Sequence, residues 1–270
     1  MNQESPGSEI PAAARPEYGL DAPAPPPEVP RRVAVRAPEV SPLVTYALLG
    51  FTVLVFLGQL ATQNPQLVGG DLLSALGLKV NEFILQGEYW RLITPMFLHG
   101  SILHLGFNMY ALYIFGPGLE RHFGHARFLA LYLISGFAGN VVSFMFSSAP
   151  SLGSSTAIFG LLGAEGVFLY TNREILGGFA RRALNNIIMI AAINLIIGLS
   201  PGIDNWGHMG GLVAGTLFTW LAGPKLRLEG IYPNLEVVDE RETREVILGG
   251  LGVTLLFAVL AAATVYLRGG

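Results

Sequence analysis

The chain has 270 residues, of which 51% are hydrophobic and only 13% are charged, against about 25% charged in an ordinary soluble protein. With a mean hydropathy of +0.51, this composition excludes a compact water-soluble protein of this size. The net charge of −3 offers no basic surface of the kind that binds nucleic acid, so no nucleic-acid partner is expected. The sequence contains no cysteine, which excludes disulfides, thiolate metal sites and cysteine catalysis.

The first 41 residues differ from the rest of the chain. Ten of the 17 prolines fall within residues 1–42, where large aliphatic and aromatic side chains are few. Such a segment buries too little apolar surface to offset the entropy that is lost on ordering. We therefore predict that residues 1–41 form a disordered, proline-rich cytoplasmic tail, and not a signal peptide.

Seven apolar stretches follow the tail. A membrane-spanning helix needs about 20 apolar residues, with about 17 as the lower limit, and only the fifth stretch falls short of that limit. Seven in succession favour membrane helices over the buried core helices of a soluble protein. The predicted spans are 43–61, 96–115, 128–146, 155–171, 186–199, 206–222 and 246–267.

The basic residues predict how these spans are oriented. With the N-terminus in the cytoplasm, 13 of the 16 Lys and Arg residues fall in cytoplasmic segments, which leaves only Lys79, Arg91 and Arg268 on the other side. Cytoplasmic loops of membrane proteins carry such an excess of positive charge. We therefore expect a multi-pass protein of the lipid bilayer, in the plasma membrane, with a cytoplasmic N-terminus.

Three of the predicted spans carry polar side chains that are costly to place in a bilayer and so suggest a functional site. His104 and Asn108, four residues apart on the second span, share one helix face. Ser155 opens the fourth span, and His208 lies near the start of the sixth. Each residue alone has an ordinary structural explanation, such as a hydrogen bond to a loop or to a helix carbonyl.

Together these side chains match the needs of a serine hydrolase. A serine hydroxyl is a weak nucleophile that needs a base, and histidine is suited because it titrates near neutral pH. We predict Ser155 as the nucleophile and His208 as the base. The oxyanion needs fixed hydrogen-bond donors, which Asn108 and His104 would supply. Asp204, four residues before His208, is interpreted as a helix cap rather than as a third catalytic residue.

Small residues give a reason why the fourth and sixth spans would approach each other. Gly207, Gly211 and Gly215 repeat every four residues on the sixth span, and the fourth span carries four small residues between positions 157 and 164. Such patterns let membrane helices pack closely. Helix packing without any chemistry is the alternative explanation of the same pattern.

Five groups of short motifs follow one another along residues 42–222. They are Glu88-Tyr89-Trp90-Arg91, His104-Leu105-Gly106-Phe107-Asn108, Gly118-Leu119-Glu120-Arg121-His122-Phe123-Gly124, Gly153-Ser154-Ser155 with Ala157-Ile158-Phe159-Gly160, and Gly207-His208 with Gly210-Gly211. In this order they resemble the motifs of the rhomboid family of intramembrane serine proteases. Each motif is weak alone, but the ordered set is specific.

The resemblance implies an all-α polytopic membrane protein with a six-helix rhomboid core over residues 42–222. A cytoplasmic linker, 223–245, would lead to an additional seventh transmembrane helix at 246–267. The implied activity is hydrolysis of peptide bonds in or near the transmembrane segments of single-span membrane proteins. A Ser155–His208 dyad would perform it without a metal or a cofactor.

Thr156 departs from the family's pattern, which usually has glycine after the nucleophile. Its side chain is expected to narrow the oxyanion site. Its backbone N–H remains available, so Thr156, like Gly153, still belongs to the expected oxyanion and substrate-binding residues. If Thr156 blocks the site, the alternative is a catalytically inactive rhomboid-like protein that binds transmembrane clients. Ser155 is preferred to Ser154 as the nucleophile because it keeps the family's Gly-x-Ser spacing.

Overall fold

The computed structural model describes residues 40–231 and 234–269. Residues 1–39, nearly all of the predicted tail, therefore lie outside the described residues. Most of the described chain is helical, as the sequence predicts. The elements are α1 (Leu43–Ala61), α2 (Leu72–Gly77), α3 (Asn81–Leu85), α4 (Ile102–Phe123), α5 (His125–Phe146), α6 (Ser155–Thr171), α7 (Arg173–Ile197), α8 (Asn205–Ala222), β1 (Leu226–Ile231), β2 (Asn234–Asp239) and α9 (Thr243–Gly269).

Two helices match their predicted spans, and α4 begins later than predicted. The stretches 43–61 and 155–171 coincide with α1 and α6. Residues 94–97 form a short 3₁₀ turn instead of the start of the second span. The Ser101 side chain then accepts a hydrogen bond of 3.1 Å from the His104 N–H, and this cap begins α4 at Ile102.

The helix α7 is longer than the predicted stretch 186–199. It begins at Arg173 and bends at Gly177, whose φ of +59° is open to glycine at little cost. The first half of α7 carries the exposed residues Arg181 and Arg182. A continuous apolar stretch therefore begins only after these two arginines. The prediction was too short because it followed apolarity and not helical periodicity.

Four of the described helices, α1, α5, α7 and α9, are long and apolar enough to cross a membrane. The apolar helix α6 has 17 residues and is shorter. The helices α4 and α8 have 22 and 18 residues, but they carry the polar side chains of the predicted site, which lowers their hydropathy. The apolar helices fit an integral membrane protein, whereas the count of seven spans stays a prediction.

The helices α6 and α8 pack with their backbones in contact. A Cβ atom on Gly211 would overlap the carbonyl oxygen of Thr156, and one on Gly215 would overlap that of Gly160. Only glycine allows this approach. The close packing that the small-residue pattern predicts for the fourth and sixth spans is therefore present.

The predicted linker 223–245 contains an antiparallel hairpin of β1 and β2. Asn172, which follows α6, accepts a hydrogen bond of 2.7 Å from the Leu226 N–H. Arg127 of α5 forms an ion pair of 2.8 Å with Asp239 of β2. These contacts attach the hairpin to the ends of α5 and α6 that lie away from Ser155.

The predicted seventh helix, α9, packs against α5 and α8. Near its C-terminus, the Arg268 guanidinium donates hydrogen bonds of 2.9 and 2.7 Å to the carbonyl oxygens of Phe144 and Met145. These are among the last carbonyls of α5, which have no partner within their own helix. Arg268 thus joins the end of α9 to the end of α5, just before the loop that leads to Ser155.

Candidate active site

Ser155 and His208 meet where α6 and α8 begin. Ser155 is the first residue of α6, and His208 lies in the first turn of α8. The Ser155 Oγ and His208 Nε2 atoms are 2.9 Å apart, which is hydrogen-bond distance. The structure therefore brings the predicted nucleophile and the predicted base together.

An aromatic ring holds the imidazole of His208 from the side of α6. The Phe159 ring stacks on the His208 ring, with 4.2 Å between centroids and 12° between planes. Phe159 follows Ser155 by one helical turn and so shares its face of α6. This contact was not predicted, and the only signal for it in the sequence is the aromatic residue four positions after the nucleophile.

Gly153 leaves space for the His104 ring because it has no side chain. Its φ is +127°, and a Cβ atom there would lie 2.7 Å from both Cε1 and Nε2 of His104. Its N–H donates a hydrogen bond of 2.9 Å to the Pro95 carbonyl oxygen. The predicted site residues Gly153 and His104 are thus neighbours, next to Ser155.

One cavity of about 630 Å³ connects four of the six predicted site residues. Ser155, His208, His104 and Asn108 all line it. The Asn108 side-chain amide donates a hydrogen bond of 3.0 Å to the His104 carbonyl oxygen, which fixes its orientation on α4. Much of the remaining wall is apolar and consists of Phe107, Phe115, Ile158, Leu162, Ile190 and Ile197.

The Thr156 side chain lies away from this cavity. Thr156 is buried, and its Cβ and methyl carbon pack against Gly139 of α5 and Gly207 of α8. The expected narrowing of the oxyanion site by this side chain is therefore absent. Its backbone N–H is in the first turn of α6, where N–H groups have no partner within the helix.

A second serine–histidine pair lies behind the first. The His99 Nε2 and Ser154 Oγ atoms are 3.2 Å apart, and both residues are buried. Ser154 has no exposed surface and so cannot meet a substrate, which favours Ser155 as the nucleophile. The His99 N–H donates a hydrogen bond of 3.0 Å to Gln59 of α1, so His99 links α1 to the start of α6.

Comparison with known proteins shows the family of this chain. Residues 86–225 match the Rhomboid domain. The chain belongs to the rhomboid family. The resemblance of its ordered motifs to this family is thereby confirmed.

Curated relatives extend the comparison. The rhomboid protease GluP of Bacillus subtilis (strain 168) is 44% identical over 175 residues, 64% of this chain and 34% of the relative. RHOMBOID-like protein 6, mitochondrial, of Arabidopsis thaliana is 44% identical over 156 residues, 57% of this chain and 50% of the relative. The chloroplastic RHOMBOID-like protein 9 of the same plant is 36% identical over 153 residues, which are 56% of this chain and 35% of the relative. The chain thus spans between a third and a half of these relatives.

A buried lysine of this rhomboid protein holds the loop before the nucleophile. The Lys79 Nζ donates hydrogen bonds of 3.1 and 2.8 Å to the carbonyl oxygens of Ser147 and Ala149. The Lys79 backbone also pairs with that of Ser151. Burial lowers the pKa of Lys79 to about 8, although the charge of Asp204 acts in the opposite direction. The sequence predicts an external position for Lys79 but indicates no role for it.

The described part of the rhomboid chain offers no ready metal site. Within residues 40–231 and 234–269, no three His, Asp or Glu side chains converge as metal ligands would. The polar groups that face the cavity suit acyl transfer instead: a hydroxyl next to an imidazole, with an amide, a second imidazole and helix N–H groups nearby.

Proposed function

We propose that this rhomboid protein is an intramembrane serine endopeptidase. It would hydrolyse peptide bonds in or near the transmembrane segments of single-span membrane proteins. The observation that carries the proposal is the distance of 2.9 Å between Ser155 Oγ and His208 Nε2. Further support comes from the family and from a relative that is named a rhomboid protease.

The geometry supports a two-step reaction. The Ser155 Oγ attacks the carbonyl carbon of the scissile bond while His208 Nε2 takes its proton. His208 then gives this proton to the departing amine, which leaves an acyl group on Ser155. A water molecule, deprotonated by the same imidazole, attacks the ester, and the carboxylic acid is released when the proton returns to Ser155.

Four donors near Ser155 are proposed for the oxyanion. They are the Asn108 amide, the His104 ring and the backbone N–H groups of Ser155 and Thr156. The two N–H groups lie at the start of α6, where the helix dipole favours negative charge. Gly153 contributes by leaving the space that the His104 ring occupies.

The site is proposed to open on the external side of the plasma membrane, with the N-terminus in the cytoplasm. The support is the distribution of Lys and Arg, of which only three lie on the external side in this orientation. A reporter fused before Met1 should be protected from protease added outside intact cells. Digestion of that reporter in sealed cells would contradict the orientation.

Cleavage of a purified substrate tests the proposed activity. Wild-type protein in detergent, mixed with a tagged single-span membrane protein, should give two fragments, whereas the Ser155→Ala variant should give none. Equal cleavage by both would contradict the proposal. Binding of the substrate by wild type, without cleavage in liposomes either, would instead support the alternative of an inactive client-binding protein.

A further inference from the structure

The helix cap at the start of α8 leaves one carboxylate oxygen of Asp204 unused. The Oδ1 atom accepts a hydrogen bond of 3.0 Å from the Gly207 N–H, so Asp204 is the predicted cap. The Oδ2 atom is buried and has no hydrogen-bond partner among the described residues. A buried carboxylate oxygen without a donor is costly, so its position needs an explanation.

His208 carries the matching donor. Its Nδ1 atom is buried and, across residues 40–231 and 234–269, also lacks a partner. If Nε2 is to accept the proton of Ser155, the ring hydrogen of the neutral imidazole must be on Nδ1. His208 therefore has an unused donor, and Asp204 an unused acceptor.

The fold places these two atoms on the same side of α8. Asp204 and His208 are one turn apart, and the His208 N–H donates to the Asp204 carbonyl oxygen at 3.1 Å. Side chains of a helix lean toward its N-terminus, so the His208 ring extends toward the turn that Asp204 begins. Both residues line the cavity described above.

The Asp204 carboxylate also interacts electrostatically with a buried cation. This cation is the ammonium of Lys79, which also interacts electrostatically with Arg268 and Glu82. The groups that act electrostatically on the His208 ring are Asp204 and His104. Asp204 is thus the carboxylate whose charge acts on the base.

We propose that Asp204 is a positioning residue for His208. Its Oδ2 becomes the acceptor for the Nδ1 hydrogen when the two side chains close the gap that separates them in this structure, and so keeps Nε2 directed at Ser155. Its negative charge stabilises the imidazolium that exists while His208 holds the serine proton. Asp204 itself takes no proton. This inference rests on the proposed serine protease function.

The Asp204→Asn variant separates the charge from the helix cap, because asparagine also caps helices well. Its kcat should fall about tenfold to a hundredfold with little change in KM, less than the loss when a directly bonded triad aspartate is changed. The acidic limb of its kcat/KM profile should move to lower pH, because the negative charge that favours a protonated ring is gone. Glu82→Gln removes an exposed negative charge from the first loop and should change neither quantity.

The design distinguishes folding from positioning. Titration with a fluorophosphonate gives the concentration of active sites, so kcat refers to folded enzyme only, and Asp204→Ser supplies a second uncharged cap. If both variants keep the wild-type kcat and pH profile while Ser155→Ala is inactive, the role of Asp204 is overturned and the protease function stands. The role is also overturned if activity falls only in proportion to the titrated sites. If wild type neither cleaves nor reacts with the fluorophosphonate, the protease function fails first.

Discussion

The α-carbon of Gly153 lies so close to the His104 imidazole that no side chain fits between them. A Cβ atom would be 2.7 Å from the ring, well inside the contact distance of two carbon atoms. The backbone of Gly153 also has a φ of +127°, which other residues rarely adopt. One glycine therefore sets both the path of the chain into Ser155 and the place of a proposed oxyanion donor.

Gly153→Ala should for this reason abolish most of the proposed activity. The new methyl group must displace the His104 ring or the start of α6, and a small misplacement of catalytic groups costs about a hundredfold in rate. Turnover per titrated active site measures the effect. Gly87→Ala is the matched control, because Gly87 also has a positive φ of +102° but open space around it. A Gly153→Ala variant as active as wild type would contradict this role of Gly153.

Lys79 should give the protein a recognisable dependence of stability on pH. Its pKa is about 8 in the folded protein and 10.5 when solvated, so between these values the unfolded chain holds more protons. The free energy of unfolding contributed by Lys79 must then rise with pH through this window, by up to roughly 3 kcal/mol. Below pH 8 both states are protonated, and the contribution no longer changes.

Lys79→Met should remove this rise and leave the Ser147 and Ala149 carbonyls without their donor. Unfolding of wild type and of Lys79→Met in detergent, at a series of pH values between 7 and 11, measures how the free energy of unfolding changes with pH. Lys225→Met, which removes an exposed lysine, should keep the wild-type slope. Parallel curves for wild type and Lys79→Met would contradict the burial of a titrating ammonium.

Glu120 should be among the residues on which stability most depends. Its fully buried carboxylate on α4 accepts hydrogen bonds of 2.8 Å from the Val44 N–H, and of 2.7 and 2.6 Å from the N–H and hydroxyl of Thr45. It thereby caps α1 from another helix. Glu120→Ala leaves the buried donors of Thr45 and the partly buried N–H of Val44 without partners, which should lower the free energy of unfolding by roughly 2–4 kcal/mol.

Thermal or denaturant unfolding in detergent checks the Glu120 prediction. Glu174→Ala, in the exposed first turn of α7, is the control and should change stability by less than about 0.5 kcal/mol. Glu120→Gln should fall between the two, since it keeps acceptor capacity at one oxygen. Identical unfolding of Glu120→Ala and wild type would show that the cap contributes nothing.

The sequence predicts helix boundaries well where a proline or a glycine lies next to an apolar run. Pro42 precedes α1, and Gly153 precedes α6, so both ranges agree with the structure. The beginnings of α4 and α7 were misplaced because a side-chain cap and an amphipathic turn leave no mark in apolarity. The hairpin within 223–245 was not predicted, since β1 is mostly exposed and β2 is only partly buried.

The site shows a similar division. Ser155 and His208 were predictable as neighbours because the glycines of α8 require a close partner helix. The contact of His99 with Ser154 joins residues 55 positions apart, and no pattern in the sequence specifies it. The burial of Lys79 could not be predicted either, because its hydrogen-bond partners are backbone carbonyl oxygens, which every residue has.

Labelling with a fluorophosphonate probe, followed by mass spectrometry of the modified peptide, tests the central claim most directly. Phosphonylation should occur on Ser155 in wild type and disappear in both Ser155→Ala and His208→Ala, because only a serine next to its base is reactive. Ser200→Ala, which removes an exposed serine from the loop before α8, should be labelled like wild type. Modification of another residue, or undiminished labelling of Ser155 in His208→Ala, would contradict the Ser155–His208 dyad.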